Sequence, residues 1–448
     1  MKWWRVEGAD ANTLRRALAE AGAVLRDGGL VAFPTETVYG LGANAWSEAA
    51  ARRVFAAKGR PADNPLIVHI ADRAELAGVI DHPQALSDAV RRAMDVFWPG
   101  PLTLILPAGG RIAPAVRPGM ETVGVRMPAH PVAQALIRAA GCPVAAPSAN
   151  RSGRPSPTSA EDVAEDLSGR IDGLVDGGPC GIGVESTVAW IGEDGVVVYR
   201  PGGVTPEQLA KVTGLPVRLA PGVAGAEGVD AIGASGADAS GESGEAGANA
   251  GRERDARAGT GGIQGRPGAH AGDGEEVSGP IRSPGMKYRH YAPRAPVHVW
   301  WGDAGRVREA MADFAVAARA GAHRTMAGAE DAKSASAKGQ PAGAAQTERG
   351  SAPGSEVAGE MRIALIARPQ TVPRGWDPAW VWVPAAPESV LDDGDYAQAL
   401  SRHLYRLLRA FDRQGADVIL VEGVRPEGLG LAVMNRLAKA AEGRVRRV

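Results

Sequence analysis

The sequence predicts a mixed α/β protein with two folded parts. Helix-type and strand-type patterns alternate through residues 1–220, a shorter alternation follows residue 295, and the stretch between them cannot form a core. Alternation of this kind indicates an open sheet flanked by helices. The smaller second unit is expected to be Rossmann-like. Because it contains no GxGxxG motif, no dinucleotide is implied.

In the first part, apolar residues recur at helical spacing between short apolar runs that are typical of buried strands. Gly28 and Gly29 end the first helix, and a capping box at 158–161 opens a later one. Pro206 suits the first turn of the last helix. The predicted helices are 14–25, 47–58, 83–97, 131–140 and two that open at 158–161 and 205–208. The predicted strands are 30–33, 66–70, 102–106, 122–127, 144–146, 172–176, 186–191 and 196–200.

Two segments have little core-forming potential. Residues 222–280, which precede the second part, are 59 residues with 17 Gly, 13 Ala and no Phe, Trp or Tyr, and residues 321–358, which lie within it, contain no aromatic residue and no Ile or Leu. Such segments cannot bury enough apolar surface to offset chain entropy. The predicted strands of the second part are 297–301, 362–367, 380–383 and 417–422, and its predicted helices are 304–319, 395–414 and 430–441. The predicted division is a catalytic domain 1–220, a disordered linker 221–280, an ordered segment 281–294, and a small domain 295–448 with a disordered insert 321–358.

Composition excludes several classes of protein. Residues 1–220 hold 22 Lys and Arg against 23 Asp and Glu, which argues against a dedicated nucleic-acid binder. No apolar run approaches the roughly 18 residues of a membrane span, and the N-terminus lacks a signal-peptide core. The two cysteines form no metal-type cluster, which favours buried thiols in a reducing cytoplasm.

Candidate site residues lie where predicted strands and helices end. The hydroxyl-rich segment 34–42, which contains Thr35, suits a polar ligand close to backbone, although a helix cap and turn is the commoner reason for such a segment. Lys58 and Arg60 flank a glycine at a helix end, where they could hold a polyphosphate or merely pair with the helix dipole. His69 lies in an apolar strand, where a histidine is usually a core residue.

Further polar side chains follow other strands. Arg126 ends a strand and could hold a carboxylate through two hydrogen bonds. Ser148 and Asn150 follow a short strand, and a hydroxyl cluster around Ser156 leads into a helix N-terminus, which is a natural anion site. Ser186 begins another strand, and Arg200 ends one. Taken together, these residues favour an enzyme that binds a nucleotide or another polyanion.

Eight segments in register resemble the threonylcarbamoyl-AMP synthase family, which has the YrdC-like fold. They are PTETVYGLG at 34–42, KGRP at 58–61, NPLIVHI at 64–70, WPGPLT at 98–103, VGVRMPAHP at 123–131, APSANRSG at 146–153, ESTV at 185–188 and YRPGG at 199–203. SPGMKYRHYAP at 283–293 resembles the linker of the two-domain version of the family. The resemblance therefore implies a YrdC-like open twisted sheet flanked by helices, with a smaller Rossmann-like C-terminal domain.

The resemblance implies an activity. Family members join L-threonine, bicarbonate and ATP into L-threonylcarbamoyl-AMP and pyrophosphate, with Mg²⁺ accompanying ATP. A separate enzyme complex then transfers the threonylcarbamoyl group to tRNA, so that complex is an expected partner, and tRNA a weak one. The expected location is the cytoplasm, with no membrane partner.

The resemblance also assigns residues to the two substrates. It implies that Lys58, Arg60, Ser148 and Asn150 act directly in catalysis, the last two with Mg²⁺. The implied ATP-binding residues are Lys58, Arg60, Ala62, Thr122, Ser148, Ser156, Arg200, Tyr288 and His290, of which Tyr288 and His290 belong to a lid that excludes water. The implied threonine-binding residues are Thr35, His69, Arg126, Ala146 and Ser186.

Two alternatives use the same fold. One is a non-catalytic module that binds double-stranded RNA or tRNA, or associates with the ribosome; the balanced charge of residues 1–220 counts against it. The other is a carbamoyl-handling domain of a maturation factor, which would carry a zinc module that two cysteines cannot supply.

Overall fold

The structure is a computed structural model that describes residues 1–223, 291–319, 361–373, 376–384 and 392–448. The predicted linker from residue 224 onward, the predicted lid up to residue 290 and the predicted insert 321–358 lie outside the described residues. Two sheets packed by helices make up the described chain, in agreement with the predicted α/β class.

The first sheet has eleven strands within residues 1–223. They are β1 (Lys2–Arg5), β2 (Val31–Phe33), β3 (Gly40–Asn44), β4 (Ile67–His69), β5 (Leu102–Pro107), β6 (Thr122–Arg126), β7 (Val144–Ala145), β8 (Gly173–Asp176), β9 (Thr187–Ile191), β10 (Val196–Arg200) and β11 (Val217–Leu219). Their order is β1-β8-β2-β3-β7-β4-β6-β5-β9-β10-β11, with parallel and antiparallel pairs mixed.

The helices of this part begin and end at residues that the sequence marks clearly. They are α1 (Ala11–Arg26), α2 (Glu48–Lys58), α3 (Asp88–Phe97), α4 (Pro131–Ala140), α5 (Ala160–Leu167) and α6 (Pro206–Thr213). The side chains of Ser47 and Ser159 accept hydrogen bonds from the first turns of α2 and α5, which satisfies amides that have no partner inside the helix. Gly59 and Gly141 end α2 and α4 in the left-handed conformation that glycine adopts without steric cost.

Apolar residues on both faces of the sheet form two cores. Along β2 and the residue before it, Leu30 and Ala32 belong to one buried cluster, whereas Val31 and Phe33 belong to the other. This alternation follows from the period-2 geometry of a strand, which sends successive side chains to opposite faces. Strands covered on both sides read as continuous apolar runs, and this is why the sequence reveals them.

The second sheet has five strands in the described residues, and all of its recorded pairs are parallel. They are β12 (Val297–Trp301), β13 (Ile363–Ile366), β14 (Trp380–Trp382), β15 (Val418–Glu422) and β16 (Val445–Arg447), in the order β14-β13-β15-β12-β16. The helices are α7 (Ala304–Arg319), α8 (Asp393–Gln414) and α9 (Leu429–Ala440). Each of these helices was predicted to within two residues at either end.

Several elements differ from the prediction. The predicted helix 83–97 is a short 3₁₀ turn at Pro83–Ala85 followed by α3, because Ser87 caps a new helix. The predicted capping box at 158–161 is wrong, since Ser159 is the capping residue of α5. Strands β1, β3, β11 and β16 were not predicted. Gly40 and Gly42 suggested a turn, yet they lie in β3, where a side chain at Gly42 would collide with Phe33 and Val144.

Whether the second domain docks on the first was left open by the sequence, and the structure shows that it does. Arg409 of α8 donates two hydrogen bonds to the carbonyl of Pro155 and pairs with Asp166 at 2.7 Å. Val38 belongs to the apolar core of the second domain. The loop at Gly183 lies against the backbone of α8, and a Cβ there would be 2.2 Å from the carbonyl oxygen of Ser401.

Two further sequence expectations concern membranes and thiols. Over the described ranges, no helix combines the length and apolar character needed to cross a bilayer.

Cys142 and Cys180 are buried and unbridged, as expected. Burial raises the pKa of Cys142 to about 11 and raises that of Cys180 as well. Because a nucleophilic thiol needs a lowered pKa, neither cysteine suits that role.

Gly183→Ala tests the docked arrangement. The added methyl group meets the α8 backbone, and φ at this residue is +83°. Overpacking and the left-handed backbone together should lower the free energy of unfolding by about 2–4 kcal/mol. Calorimetry should therefore show a lower Tm. The matched control is Gly181→Ala, at an exposed residue whose added Cβ would have no atom within 4 Å. Equal Tm values for the two variants would contradict the close approach.

Candidate active site

A polar pocket forms where segments far apart in the sequence are joined by backbone hydrogen bonds. Gly40 pairs with Ser148 in an isolated bridge, and the amide of Ser152 donates to the carbonyl of Lys58 at 2.9 Å. Most of the predicted site residues line this pocket. They are Thr35, Lys58, Arg60, His69, Arg126, Ala146, Ser148, Asn150, Ser186 and Arg200.

The remaining predicted residues lie elsewhere. Ala62 is exposed. Thr122 begins β6, at the end of the strand opposite to Arg126. Ser156 is buried behind the pocket wall, where its hydroxyl donates to Glu185 at 2.5 Å. Tyr288 and His290 lie outside the described residues. The proposed roles of these residues stay predictions.

Lys58 is the buried cation at the end of α2. Its ammonium group donates to the carbonyl oxygens of Ser148, at 2.5 Å, and Asn150. Burial and then the nearby Arg60 guanidinium lower the pKa of Lys58 well below its usual range. An anionic ligand in the pocket would reverse this shift, since an opposite charge favours the ammonium form.

Ser148 and Asn150 form a small oxygen-rich group beside Lys58. The Ser148 hydroxyl donates to Oδ1 of Asn150 at 2.6 Å. The Asn150 amide nitrogen donates at 2.8 Å to the carbonyls of Arg151 and Arg154, and this fixes the orientation of the side chain. Arg60 is anchored on the other side by hydrogen bonds to the carbonyls of Asn64 and Pro65.

Arg126 is held at the end of β6 by three groups. Its guanidinium forms a 2.7 Å ion pair with Glu36 and donates to the Thr37 hydroxyl at 2.9 Å and to the carbonyl of Gly100 at 3.3 Å. Burial alone would raise the pKa of Glu36, but the charge and the hydrogen bond of Arg126 outweigh it and lower the pKa. The pocket therefore holds Glu36 as a carboxylate.

His69 is a neutral side chain in the pocket wall. Burial, followed by the charge of Arg126, lowers the pKa of His69 to about 3. Nδ1 lies 3.1 Å from the carbonyl oxygen of Ile67, and the ring meets Phe33 edge-on. A neutral imidazole can exchange hydrogen bonds with a ligand without adding charge.

Glu185, Ser186 and Arg200 form the wall of the pocket nearest the second domain. Arg200 donates to the carbonyl and the hydroxyl of Ser186 at 3.0 and 3.1 Å. Glu185 accepts hydrogen bonds from Tyr405 of α8 and Arg436 of α9. Burial would raise the pKa of Glu185, but Arg436, Arg200 and Ser156 together lower it to about 2.

Three polar pocket residues were not predicted: Thr37, Ser152 and Glu185. Glu36, the partner of Arg126, was not predicted either. Tyr291 also lines the pocket, and it belongs to the segment 283–293 that resembles the linker of the two-domain family members. Thr37, Ser152 and Glu185 lie inside segments quoted for the family resemblance, so their positions carried a signal. The contact between Glu185 and the second domain carried none, because it joins residues 251 positions apart.

Comparison with known proteins then assigns the chain to a family. Residues 23–202 match the family model described as Telomere recombination, and residues 260–442 match that of the threonylcarbamoyl-AMP synthase C-terminal domain. The threonylcarbamoyl-AMP synthase of Bacillus subtilis is 38% identical and is aligned over 99% of each chain. The chain belongs to the threonylcarbamoyl-AMP synthase family. The synthase of Pyrococcus abyssi is also 38% identical, over 96% of this chain and 95% of its own.

A solved structure of a synthase-family member supports the same assignment. The crystal structure titled P. abyssi Sua5 complexed with L-threonine matches with a TM-score of 0.71 and 34% identity, and all of both chains is covered. These comparisons confirm the family, the fold class and the synthase function predicted from the sequence. The individual site residues stay predictions.

The ionised Glu185 carboxylate predicts a pH dependence of stability. Its pKa is about 2 in the folded chain against an ordinary 4.5. Because the pKa is lowered in the folded chain, the ionised carboxylate stabilises the fold above pH 4.5, by on the order of 3 kcal/mol. This contribution to the free energy of unfolding is lost as the pH falls from 4.5 towards 2. Urea unfolding between pH 5 and 3 should show a shallower pH slope for Glu185→Gln than for wild type. Glu193→Gln, at an exposed turn, is the control. Identical slopes for Glu185→Gln and wild type would contradict the assignment.

Proposed function

We propose that this pocket condenses L-threonine, bicarbonate and ATP into L-threonylcarbamoyl-AMP and pyrophosphate by nucleotidyl transfer. The amine of threonine combines with bicarbonate, water leaves, and a carbamate forms. A carbamate oxygen then attacks the α-phosphorus of ATP, and the bond to the bridging oxygen breaks as pyrophosphate departs. No covalent bond to the protein is needed, so the residues act by positioning the substrates and neutralising charge.

The observation that carries this proposal is the convergence of four cations in one pocket with neutral oxygen and amide groups. The cations are Lys58, Arg60, Arg126 and Arg200. A triphosphate and an amino-acid carboxylate together present the kind of negative charge that this set can bind. Within the described residues, no group of three or more His, Cys, Asp or Glu could hold a metal ion.

Lys58, Arg60 and Arg200 are proposed to bind the phosphates. Lys58 is fixed by two carbonyl oxygens, so its position does not depend on the ligand. Loss of one charged hydrogen bond to a phosphate typically weakens the free energy of binding by about 1.5–3 kcal/mol. Tyr288 and His290 are proposed to cover the nucleotide.

Mg²⁺ is proposed to enter with the nucleotide. The oxygens of Ser148 and Asn150 are hard donors beside the phosphate-binding cations, and this donor type fits Mg²⁺ that arrives bound to substrate phosphates. These two side chains would hold the ion, and its chemistry would be to neutralise charge on the departing pyrophosphate.

Arg126 is proposed to bind the threonine carboxylate, with Thr35, His69, Ala146 and Ser186 around the rest of the amino acid. The guanidinium already pairs with the carboxylate of Glu36, so its geometry suits a second carboxylate. The proposed partner that consumes the product is the complex that transfers threonylcarbamoyl to tRNA, and the proposed location is the cytoplasm.

The first experiment measures pyrophosphate release from ATP and Mg²⁺ by the full chain, omitting L-threonine or bicarbonate in turn. Release should require both, because the carbamate is the nucleophile. Mass spectrometry should detect threonylcarbamoyl-AMP in the complete reaction. ATP binding with no release in any mixture would contradict the synthase and favour the RNA-binding alternative, which tRNA binding would then test.

Arg126→Ala and Lys58→Met should affect different substrates. Loss of the charged contact predicts that Arg126→Ala raises KM for L-threonine about 10- to 100-fold, with a smaller change for ATP. Lys58→Met should show the opposite pattern. Initial rates with one substrate varied and the others saturating give both values. The assignment of Arg126 to threonine is wrong if its variant changes the two KM values equally.

A further inference from the structure

One arginine of the second domain reaches the pocket wall from behind. Arg436 lies on α9, is fully buried, and donates through Nε to Glu185 at 2.9 Å and through Nη1 to the carbonyl of Pro201 at 2.7 Å. These two acceptors belong to different segments of the first domain. Each is the immediate chain neighbour of a pocket side chain, since Ser186 follows Glu185 and Pro201 follows Arg200.

The two segments that Arg436 contacts are packed with almost no spare room. A Cβ at Gly202 would lie 2.3 Å from the amide of Thr187 and 2.4 Å from the carbonyl oxygen of Glu185. Across the same gap, Arg200 donates to the carbonyl and the hydroxyl of Ser186. A small change in the spacing of these segments would therefore displace Ser186 and Arg200 relative to each other.

Three donors hold the carboxylate of Glu185 in this arrangement. The Ser156 hydroxyl donates to Oε1 at 2.5 Å, Nε of Arg436 donates to Oε2 at 2.9 Å, and the single proton of the Tyr405 hydroxyl is shared between the two oxygens, at 3.2 and 3.0 Å. Both oxygens are therefore engaged, and the orientation of the carboxylate is fixed by groups from the two domains. It acts as a fixed anion between the two domains.

We propose that Arg436 is a positioning residue for the pocket, fixing the 185–186 and 200–201 segments so that Ser186 and Arg200 face the substrates correctly. Tyr405 supports the same carboxylate from α8. The second domain thus contributes to catalysis through contacts that touch no substrate. This inference rests on the proposed function of the pocket.

Arg413 offers a matched comparison, because it crosses the same interface without reaching the pocket wall. It lies on α8 and pairs with Asp162 and Glu165 at 3.2 and 3.0 Å. If these arginines only hold the two domains together, replacing either one lowers activity no more than it lowers the stability of the fold. If Arg436 positions the wall, its loss changes kinetics beyond any change in stability.

The test compares Arg436→Met, Arg436→Lys and Arg413→Met in the full chain by pyrophosphate release and thermal unfolding. A displacement of about 1 Å can cost about 100-fold, so kcat/KM for ATP should fall about 10- to 100-fold in Arg436→Met. Arg436→Lys should recover part of this loss, because it keeps the charge but cannot reach both acceptors. Arg413→Met should stay within about 3-fold of wild type, as expected for a half-exposed pair.

A double-mutant cycle with Ser186→Ala separates positioning from docking. When one residue acts through another, the loss of activity in the double variant is smaller than the product of the losses in the two single variants. The kcat/KM of the double variant should therefore be at least about 3-fold higher than that product predicts. Multiplicative effects, or an equal loss in Arg413→Met, would overturn the proposal.

Tyr405→Phe keeps the proposal testable if Arg436→Met fails to fold. This variant loses one hydroxyl and keeps the ion pair, and its cycle with Ser186→Ala carries the same expectation. A wild-type chain that releases no pyrophosphate would refute the proposed function. An active wild type with unchanged Arg436 and Tyr405 variants would refute only this inference.

Discussion

The pocket holds more buried positive charge than its own carboxylates balance, and much of the surrounding structure follows from this. Lys58, Arg126 and Arg200 are 3%, 4% and 7% exposed. Glu36 pairs with Arg126 and Glu185 lies near Arg200, whereas the acidic side chain that acts on Lys58 is Asp166, which is itself shared with Arg154 and Arg409. Removing such charges from water costs several kcal/mol each unless hydrogen bonds and counter-charges offset it. The chain offsets part of that cost with carbonyl oxygens aimed at the cations, as those of Ser148 and Asn150 are at Lys58. In the proposed function, a polyanionic substrate would offset the remainder.

The same electrostatic constraint explains why the second domain is attached where it is. Arg436 and Glu185 are 0% and 5% exposed in the docked chain, so docking takes both charges out of water. It also pairs them and adds the hydroxyl of Tyr405 to the hydrogen bond that Glu185 already accepts from Ser156 of the first domain. A buried pair of this kind adds little net stability compared with apolar packing, but an unpaired partner is penalised strongly. The interface therefore depends on the placement of this ion pair. Because the pair includes Glu185, the same contact fixes the pocket wall that Glu185, Ser186 and Arg200 form.

The sequence predicted what local patterns encode and missed what depends on distant contacts. Strands such as β4 and β5 are mostly apolar, so the sequence predicts them, whereas β3 contains two glycines whose role appears only when Phe33 and Val144 pack against Gly42. The short strands β1, β11 and β16 lie at sheet edges and carry few buried residues, so they leave a weak pattern. Polar and basic side chains at the ends of predicted strands and helices identified much of the pocket. Glu185 did not stand out, because its partners lie far along the chain.

The fold orients Arg126 in a way that suits the carboxylate-binding role proposed for it. Its guanidinium is already desolvated and oriented by Glu36, Thr37 and the carbonyl of Gly100, so a ligand does not have to order it. Immobilising a flexible side chain on binding costs about 0.5–1.5 kcal/mol, and preorganisation removes that cost. The carboxylate of Glu36 maintains this geometry while no ligand is bound. In the proposed function, a carboxylate substrate would therefore meet a cation whose position and planar hydrogen-bonding geometry are already set by the fold.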